Sequence, residues 1–248
     1  MTNPAARPTR SKSRHQTDRA NRVASFSFLM LLLAMVVTLL LAPLMQDRLV
    51  GNLLMHGCFT LVFLTGLLAN RQRPWIFRTA LVLAVIGIPL GWTRLLSGNN
   101  QLLLIRYVVD IFYFAFIAIM ILTAVFKDHL ASQRSILGAI SVYLLMGLSW
   151  ALAYSALGII EPEPFRFKER QTTPAENGDA LYTDWSQLVY YSFVTMSTLG
   201  FGDITPRTPM AQTLTWMQAV FGQLYLVVLI ARLVSLLPPT DANRHDSS

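Results

Sequence analysis

A short polar stretch, TMSTLGFGDITP at residues 195–206, stands between two long apolar segments and contains the residue types of a cation site. Gly200 and Gly202 can adopt backbone angles that are closed to other residues, which lets successive carbonyl groups point the same way, toward an axis. A ladder of such carbonyls can replace the hydration shell of a cation, and the Thr198 hydroxyl can add one further layer of oxygen ligands. The predicted ion-binding residues are Thr198, Leu199, Gly200, Phe201 and Gly202.

The residues around this ladder have predicted supporting roles. Leu199 and Phe201 are expected to point away from the axis and to pack against the aromatic side of the preceding helix, which includes Tyr190 and Tyr191. Asp203 follows the ladder directly, and its carboxylate is expected to attract cations at the outer mouth. The stretch therefore predicts a supported cation filter with an acidic entrance.

The segment DWSQLVYYSFVTMS before this stretch is predicted to form a short helix. Asp184 is placed to cap its N-terminus. From Trp185 to Ser197 the helix would be about 20 Å long, well short of the roughly 30 Å hydrocarbon core of a bilayer. Irregular backbone occurs at membrane depth only where it is buried in protein or lines a wet cavity. We therefore predict a re-entrant pore helix and filter loop, with the partially negative helix C-terminus directed at a cation cavity.

The rest of the chain has the composition of a protein embedded in a bilayer. Of its 248 residues, 54% are hydrophobic and 13% are charged, whereas a soluble domain carries about 25% charged residues. Six segments are long and apolar enough to cross a membrane, and the first is longer than a signal-peptide core, which favours an uncleaved span over a cleaved signal. The predicted spans are residues 23–45, 50–70, 75–97, 102–126, 135–160 and 209–237. The predicted fold class is an all-α membrane protein with six transmembrane helices and the re-entrant loop between helices five and six.

The distribution of Lys and Arg predicts the orientation of the chain. Basic residues concentrate in the first tail and in the turns after spans two and four, which places both termini in the cytoplasm and the protein in a cell membrane. Most of the net charge of +7 lies in the first tail, where contact with anionic lipid explains it more simply than nucleic-acid binding. Short tails and minimal loops point to a prokaryotic inner membrane. The predicted regions are a basic cytoplasmic tail at 1–22, a four-helix bundle that resembles a voltage sensor at 23–130, a pore domain at 131–237 and a short cytoplasmic tail at 238–248.

Roughly residues 135–237 resemble the potassium channel family. The family's filter signature, Thr-Val-Gly-Tyr-Gly-Asp, is matched by TLGFGD at residues 198–203, with Leu199 and Phe201 as the two departures. The resemblance implies a homotetramer, because one chain supplies one filter strand and a closed ring needs four. It also implies passive, potassium-selective conduction, with K+ as the permeant ion and no other cofactor.

The departures from the family pattern affect what holds the filter. Phe201 lacks the phenolic hydroxyl that braces most filters of the family against the pore helix, and Val194 stands where certain relatives carry a carboxylate bonded to the aspartate behind the filter. We therefore expect Asp203 to be held less firmly and slow closing of the filter itself to act as a gate. Two alternatives stay open: a less selective monovalent cation channel, and a silent subunit of a hetero-oligomeric channel.

The fourth span has the position of a voltage sensor without its charges. Counting in threes from Arg106 meets no further cation, whereas steep voltage gating needs several Lys or Arg per subunit. Asp110 lies four residues on, on the same helix face. The pair is either a scaffold ion pair whose arginine snorkels to the headgroups or a sensor that faces a wet crevice and responds to pH or a ligand. Gly222 in the last span is either a hinge or a packing glycine.

The remaining features exclude or leave open other classes. A transporter would be expected to have internal repeats and an enzyme to have convergent catalytic residues, and the chain shows neither, so no enzymatic activity is predicted. Cys58 is the only cysteine, which excludes an internal disulfide and a cysteine metal cluster. The predicted outer loop at 161–184 has six acidic and three basic residues, a net charge of −3. It is either a negative funnel for cations or a merely soluble loop.

Overall fold

The computed structural model describes residues 10–41, 48–69, 74–93, 100–127, 133–168 and 185–235. The chain is built almost entirely of helices, as predicted. The helices are α1 (Arg10–Leu41), α2 (Arg48–Ala69), α3 (Pro74–Thr93), α4 (Asn100–Lys127), α5 (Gln133–Ile160), α6 (Trp185–Met196) and α7 (Pro209–Ser235). Two short strands are β1 (Phe165–Phe167) and β2 (Ile204–Pro206).

Three helices are long and apolar enough to cross a membrane within the described residues. They are Asn100–Phe126 in α4, Ser135–Ile160 in α5 and Pro209–Ser235 in α7. The apolar parts of α1, α2 and α3 that the structure describes are shorter, at Phe26–Leu41, His56–Leu67 and Pro74–Leu90. The first three predicted spans run into 42–47, 70–73 and 94–99, which lie outside the described residues. The all-α membrane class is thus supported, and the count of six spans stays a prediction.

The first predicted tail overlaps a helix, and its assignment as a tail stays a prediction. Helix α1 begins at Arg10, inside the basic tail predicted at 1–22, so the second half of that tail continues the first helix. The predicted C-terminal tail at 238–248 lies outside the described residues.

The larger of two hydrophobic clusters among the described residues links the first helices to α6. Helix α4 packs along α5, and α1 contacts both α2 and α5. Buried apolar residues from successive helices meet in this core, including Leu31, Phe63, Phe114, Leu145 and Val189. The core therefore holds α6 against the helices that precede it.

Helix α7 is the exception, because most of its surface is not covered within one chain. Its buried residues are Ala211, Gln218 and Gly222. In the apolar stretch of α7, 11% is buried, against 50% in the apolar stretch of α5. Large apolar side chains on it are exposed, among them Trp216, Phe221, Leu224, Val227 and Ile230. A helix of this composition requires lipid or further protein around it.

The two strands form an antiparallel ribbon that joins the end of the candidate filter to the segment after α5. Phe165 pairs with Pro206 and Phe167 with Ile204. The Lys168 N–H extends the ribbon by donating to the Asp203 carbonyl at 2.8 Å. The sequence analysis treated both segments as irregular loop, so this ribbon was not predicted. Of the predicted outer loop, residues 169–184 lie outside the described part, and its role as a funnel stays a prediction.

Candidate cation filter and its surroundings

Helix α6 has the length and position predicted for a pore helix. It comprises 12 residues, or about 18 Å of helix, too short to cross a bilayer. Two glycines of the neighbouring helices let it approach closely. A Cβ at Gly147 would lie 2.4 Å from the Phe193 ring, and a Cβ at Gly222 would lie 2.6 Å from Met196 Cγ. Helix α6 is thus held between α5 and α7 at positions where only glycine fits.

The end of α6 has the hydrogen bonds of a Schellman motif. The Thr198 N–H donates to the Thr195 carbonyl and the Leu199 N–H to the Val194 carbonyl, both at 3.0 Å. This motif requires a left-handed residue just after the helix, usually glycine. Here that residue is Thr198, with φ of 57°, although a β-branched side chain is strained in this region. The helix end therefore imposes a defined direction on the chain that enters the candidate filter.

The predicted filter has alternating backbone handedness. Gly200 has φ of 55° and Gly202 has φ of 73°, so that positive φ occurs at every second residue from Thr198 onward. This is the conformational freedom for which the two glycines were singled out in the sequence. An added Cβ at Gly200 would meet no described atom within 4 Å, so backbone conformation rather than space requires glycine there.

The side chains of Leu199 and Phe201 are largely exposed in the single chain. They remain 56% and 64% exposed, so the aromatic side of α6 in the same chain does not enclose them. Part of that aromatic side packs on α5 and β1 instead. Tyr191 is buried against Tyr154 and Phe165, with ring centroids 5.2 Å and 5.1 Å away. Further cover for these two side chains has to come from residues outside the described part or from other copies of the chain, and the predicted packing stays a prediction.

Asp203 has an anchor that the sequence analysis missed. The Tyr190 hydroxyl donates to Asp203 Oδ2 at 2.7 Å, and the Ile204 N–H donates to Oδ1 at 3.0 Å. The Tyr190 bond is the main cause that lowers the pKa of Asp203, with smaller contributions from backbone N–H groups and the Lys168 charge. The same bond raises the pKa of Tyr190. Asp203 is therefore ionised at neutral pH, and the weak hold that was expected from Val194 is offset by Tyr190.

A buried polar network behind α6 was also missed. It joins Gln218 of α7, Ser192 of α6 and Tyr154 of α5. Beside it, the hydroxyls of Tyr191 and Thr215 are 2.7 Å apart. The signal available in the sequence was a glutamine at position 218, one of three in α7, and periodicity alone does not tell which of them is buried.

Gly222 is a packing glycine in this structure. Besides Met196 Cγ, an added Cβ would lie 3.0 Å from the Met196 carbonyl oxygen. Such distances leave no room for a methyl group unless the helices move. Of the two interpretations that were open, close packing of α7 on α6 is the one with direct contacts.

Arg106 and Asp110 form the predicted ion pair, enclosed between helices. Arg106 Nε lies 3.4 Å from Asp110 Oδ2, and both side chains are buried, at 2% and 3% exposure. This burial favours an enclosed pair over an arginine that extends to the headgroups, and both interpretations stay predictions. The pair lines a crevice between α2, α3 and α4, together with His56, Phe59, Thr60, Phe63, Gly87 and Ile88. The sensor interpretation, with a wet crevice and a response to pH or a ligand, stays a prediction.

Among the described residues, no group of three or more His, Cys, Asp or Glu side chains could hold a metal ion. The oxygen ligands available for a cation in the candidate site are therefore backbone carbonyls and the Thr198 hydroxyl. That hydroxyl donates to the Ser197 carbonyl at 2.7 Å within the chain, which leaves its lone pairs able to face a cation.

Comparison with known proteins finds a family similarity for one part of the chain. Residues 142–237 match a family model described as an ion channel. The matched region begins within α5 and contains α6, the candidate filter and α7. No curated protein and no solved structure gave a match. The family match supports an ion channel in a membrane rather than an enzyme, without specifying the ion.

Proposed function

We propose that this chain is the subunit of a homotetrameric potassium channel, which conducts passively through the carbonyls of residues 198–202. The observation that carries the proposal is the positive φ at Thr198, Gly200 and Gly202. These angles follow a helix too short to span the bilayer, between two helices that are long enough to do so. Such a backbone can present a file of oxygen ligands to a dehydrated cation.

The exposed surfaces of the single chain support a tetramer. One filter strand supplies a quarter of a closed ring, and its Leu199 and Phe201 side chains are more than half exposed. Helix α7 also exposes a long apolar surface. This helix lies in the part of the chain that matches an ion channel. Three further copies would cover both surfaces and close the ring of carbonyls.

The arrangement in the membrane is part of the same proposal. In this arrangement six helices span a cell membrane, and α6 and the filter form a re-entrant loop. Both termini then lie in the cytoplasm. We propose that the membrane is a prokaryotic inner membrane. The basic residues of α4 are Arg106 and Lys127, and the charge of Arg106 is paired with Asp110. Because steep voltage gating needs several Lys or Arg per subunit, the proposed channel is not steeply voltage-gated.

Potassium flux from liposomes tests the proposal. Purified protein is reconstituted with K+ inside, diluted into Na+ medium, and compared with the Gly200→Ala variant. That variant strains a left-handed position and is expected to abolish the flux. Gly158→Ala is the matched control, because an added Cβ there would meet no described atom of a neighbouring element within 4 Å, and its flux should equal that of the unchanged protein.

The outcomes separate the proposal from its two alternatives. A K+ flux that Na+ cannot replace supports potassium selectivity. Equal K+ and Na+ flux would instead assign the less selective cation channel, which the absent hydroxyl of Phe201 favours. An intact tetramer without flux at any voltage or pH would assign a silent subunit and overturn conduction by this chain alone.

A further inference from the structure

Gln218 is the buried polar side chain of α7 among the residues that the structure describes, on a helix that is largely uncovered. Its side chain is 0% exposed, in the middle of α7. Burial of a primary amide is unfavourable unless its donors and acceptor are all paired. The environment of Gln218 therefore shows what this residue does in the fold.

Both polar atoms of the Gln218 side chain have partners on other helices. Nε2 donates to the Ser192 carbonyl at 3.0 Å and to Ser192 Oγ at 2.7 Å. Oε1 accepts a hydrogen bond from the Tyr154 hydroxyl. Because a backbone carbonyl can only accept, Ser192 fixes which end of the amide faces α6.

The network continues from α6 to α5 on the opposite side. Ser192 Oγ donates to the Gly147 carbonyl at 2.7 Å, so one hydroxyl bridges Gln218 and the α5 backbone. A fully paired buried network of this kind fixes the relative positions of its members more strictly than apolar packing does. Three helices thus meet at Ser192, in the middle of the helix that leads into the candidate filter.

A second contact lies one helical turn further along the same face of α7. Gly222 is four residues after Gln218 and contacts Met196, the last residue of α6. Met196 is followed directly by the left-handed turn at Thr198. Helix α7 therefore contacts α6 both at its middle and at its end, and the position of α7 determines where the filter strand begins.

We propose that Gln218 is a positioning residue for the cation filter: through Ser192 and Tyr154 it sets the position of the pore helix, and with it the ion selectivity of the filter. This rests on the proposed channel function. Phe201 has no hydroxyl to brace the filter, and the Gln218 network provides a brace from behind, through α6. Motion of the inner helix would reach the filter by the same route.

The test compares Gln218→Met with Gln212→Met. Methionine keeps the length and approximate volume of glutamine and removes all three hydrogen bonds. Gln212 is exposed on the same helix, so its variant controls for the change of residue type. In planar bilayers, the K+/Na+ permeability ratio from reversal potentials is expected to fall about tenfold in Gln218→Met, the loss equivalent to about one hydrogen bond. The ratio of Gln212→Met should not change.

Tyr154→Phe and Ser192→Ala extend the test, since each removes one hydroxyl of the network. Each is expected to lower the ratio by less than Gln218→Met does. Combining Tyr154→Phe with Gln218→Met should add little, because both act on one network. These smaller changes also keep the proposal testable if Gln218→Met fails to assemble. An intact Gln218→Met tetramer with unchanged selectivity would overturn the proposal, as would unchanged selectivity in both smaller variants.

Hydrogen exchange separates failure of this inference from failure of the channel proposal. If the unchanged protein does not select K+, the channel proposal fails, and the positioning of α6 is then decided by the exchange rates of its backbone amides. Gln218→Met is expected to accelerate exchange in residues 188–196 relative to Gln212→Met. Equal exchange in the two variants would overturn the positioning role irrespective of conduction.

Discussion

Replacing Gly222 by alanine gives a sharp test, because the sign of its effect depends on the contact between α7 and α6. The added methyl carbon would be 2.6 Å from Met196 Cγ and 3.0 Å from the Met196 carbonyl oxygen. Met196 is fully buried, at 0% exposure, so its side chain has little space into which to move. The methyl group must therefore displace either the thioether or one of the helices.

The expected magnitude is the difference between two opposing effects. Alanine in place of glycine stabilises a helix interior by about 1 kcal/mol. Overpacking a filled interior destabilises by about 1–3 kcal/mol. The expected net effect of Gly222→Ala is a destabilisation between about 0 and 2 kcal/mol. A hinge glycine with free space around it would instead give a stabilisation of about 1 kcal/mol.

The assay is an SDS titration of the detergent-solubilised protein, from which an apparent free energy of unfolding is obtained. Gly158→Ala is the control, since no described atom of a neighbouring element lies within 4 Å of an added Cβ there. It should be more stable than the unchanged protein by about 0.5–1 kcal/mol. Adding Met196→Ala to Gly222→Ala should restore space and reduce the cost of the glycine change. If Gly222→Ala is stabilised as much as Gly158→Ala, the packing interpretation is refuted.

Three further substitutions test single contacts. Tyr190→Phe removes the main cause of the lowered pKa of Asp203, so this pKa should rise. The stability that ionised Asp203 contributes is present above its unfolded pKa and is lost as the pH falls through its folded pKa. A pH series of melting temperatures should therefore show this loss at a higher pH in the variant than in the unchanged protein. Thr198→Gly relieves a strained left-handed residue and should raise the unfolding free energy by about 1 kcal/mol; lower intrinsic stability would contradict the strain. Under the proposed channel function, K+ should also protect this variant less against melting, because the Thr198 hydroxyl is gone. Asp110→Asn leaves the Arg106 charge buried without its Asp110 counter-ion and should lower the unfolding free energy by about 3–5 kcal/mol. Replacing both residues of the pair together, by Leu and Met, should cost much less. If Asp110→Asn leaves the unfolding free energy nearly unchanged, water reaches the pair.

The sequence predicted the features that depend on local pattern. In the sequence, the segment that forms α6 is apolar, short and flanked by polar residues, which predicted a short helix. Gly200 and Gly202 predicted two of the left-handed backbone positions. The Arg106–Asp110 pair followed from spacing on one helix face. Each of these features depends on residues close together in the chain, so composition and periodicity were sufficient.

The features that were missed depend on contacts between distant segments. Strand β1 has three residues in a loop rich in proline and charge, and it becomes a strand because Ile204–Pro206 lies beside it. Gln218 is buried because Ser192 and Tyr154 complete its hydrogen bonds. Tyr191 packs against Tyr154 and Phe165 rather than lying free on the face of α6. No periodic pattern in the sequence encodes these pairings.

The β1–β2 ribbon also has a consequence for how a complete pore would be assembled. It closes within a single chain, and the segment between its strands contains α6 and the filter. The outer end of the filter is thus tied to the end of α5 before any other subunit is present. Folding of each protomer, up to a shaped filter strand, can then precede association. In the tetramer that we propose, pore formation would proceed as a concentration-independent folding step of each chain, followed by a concentration-dependent docking of the four folded chains.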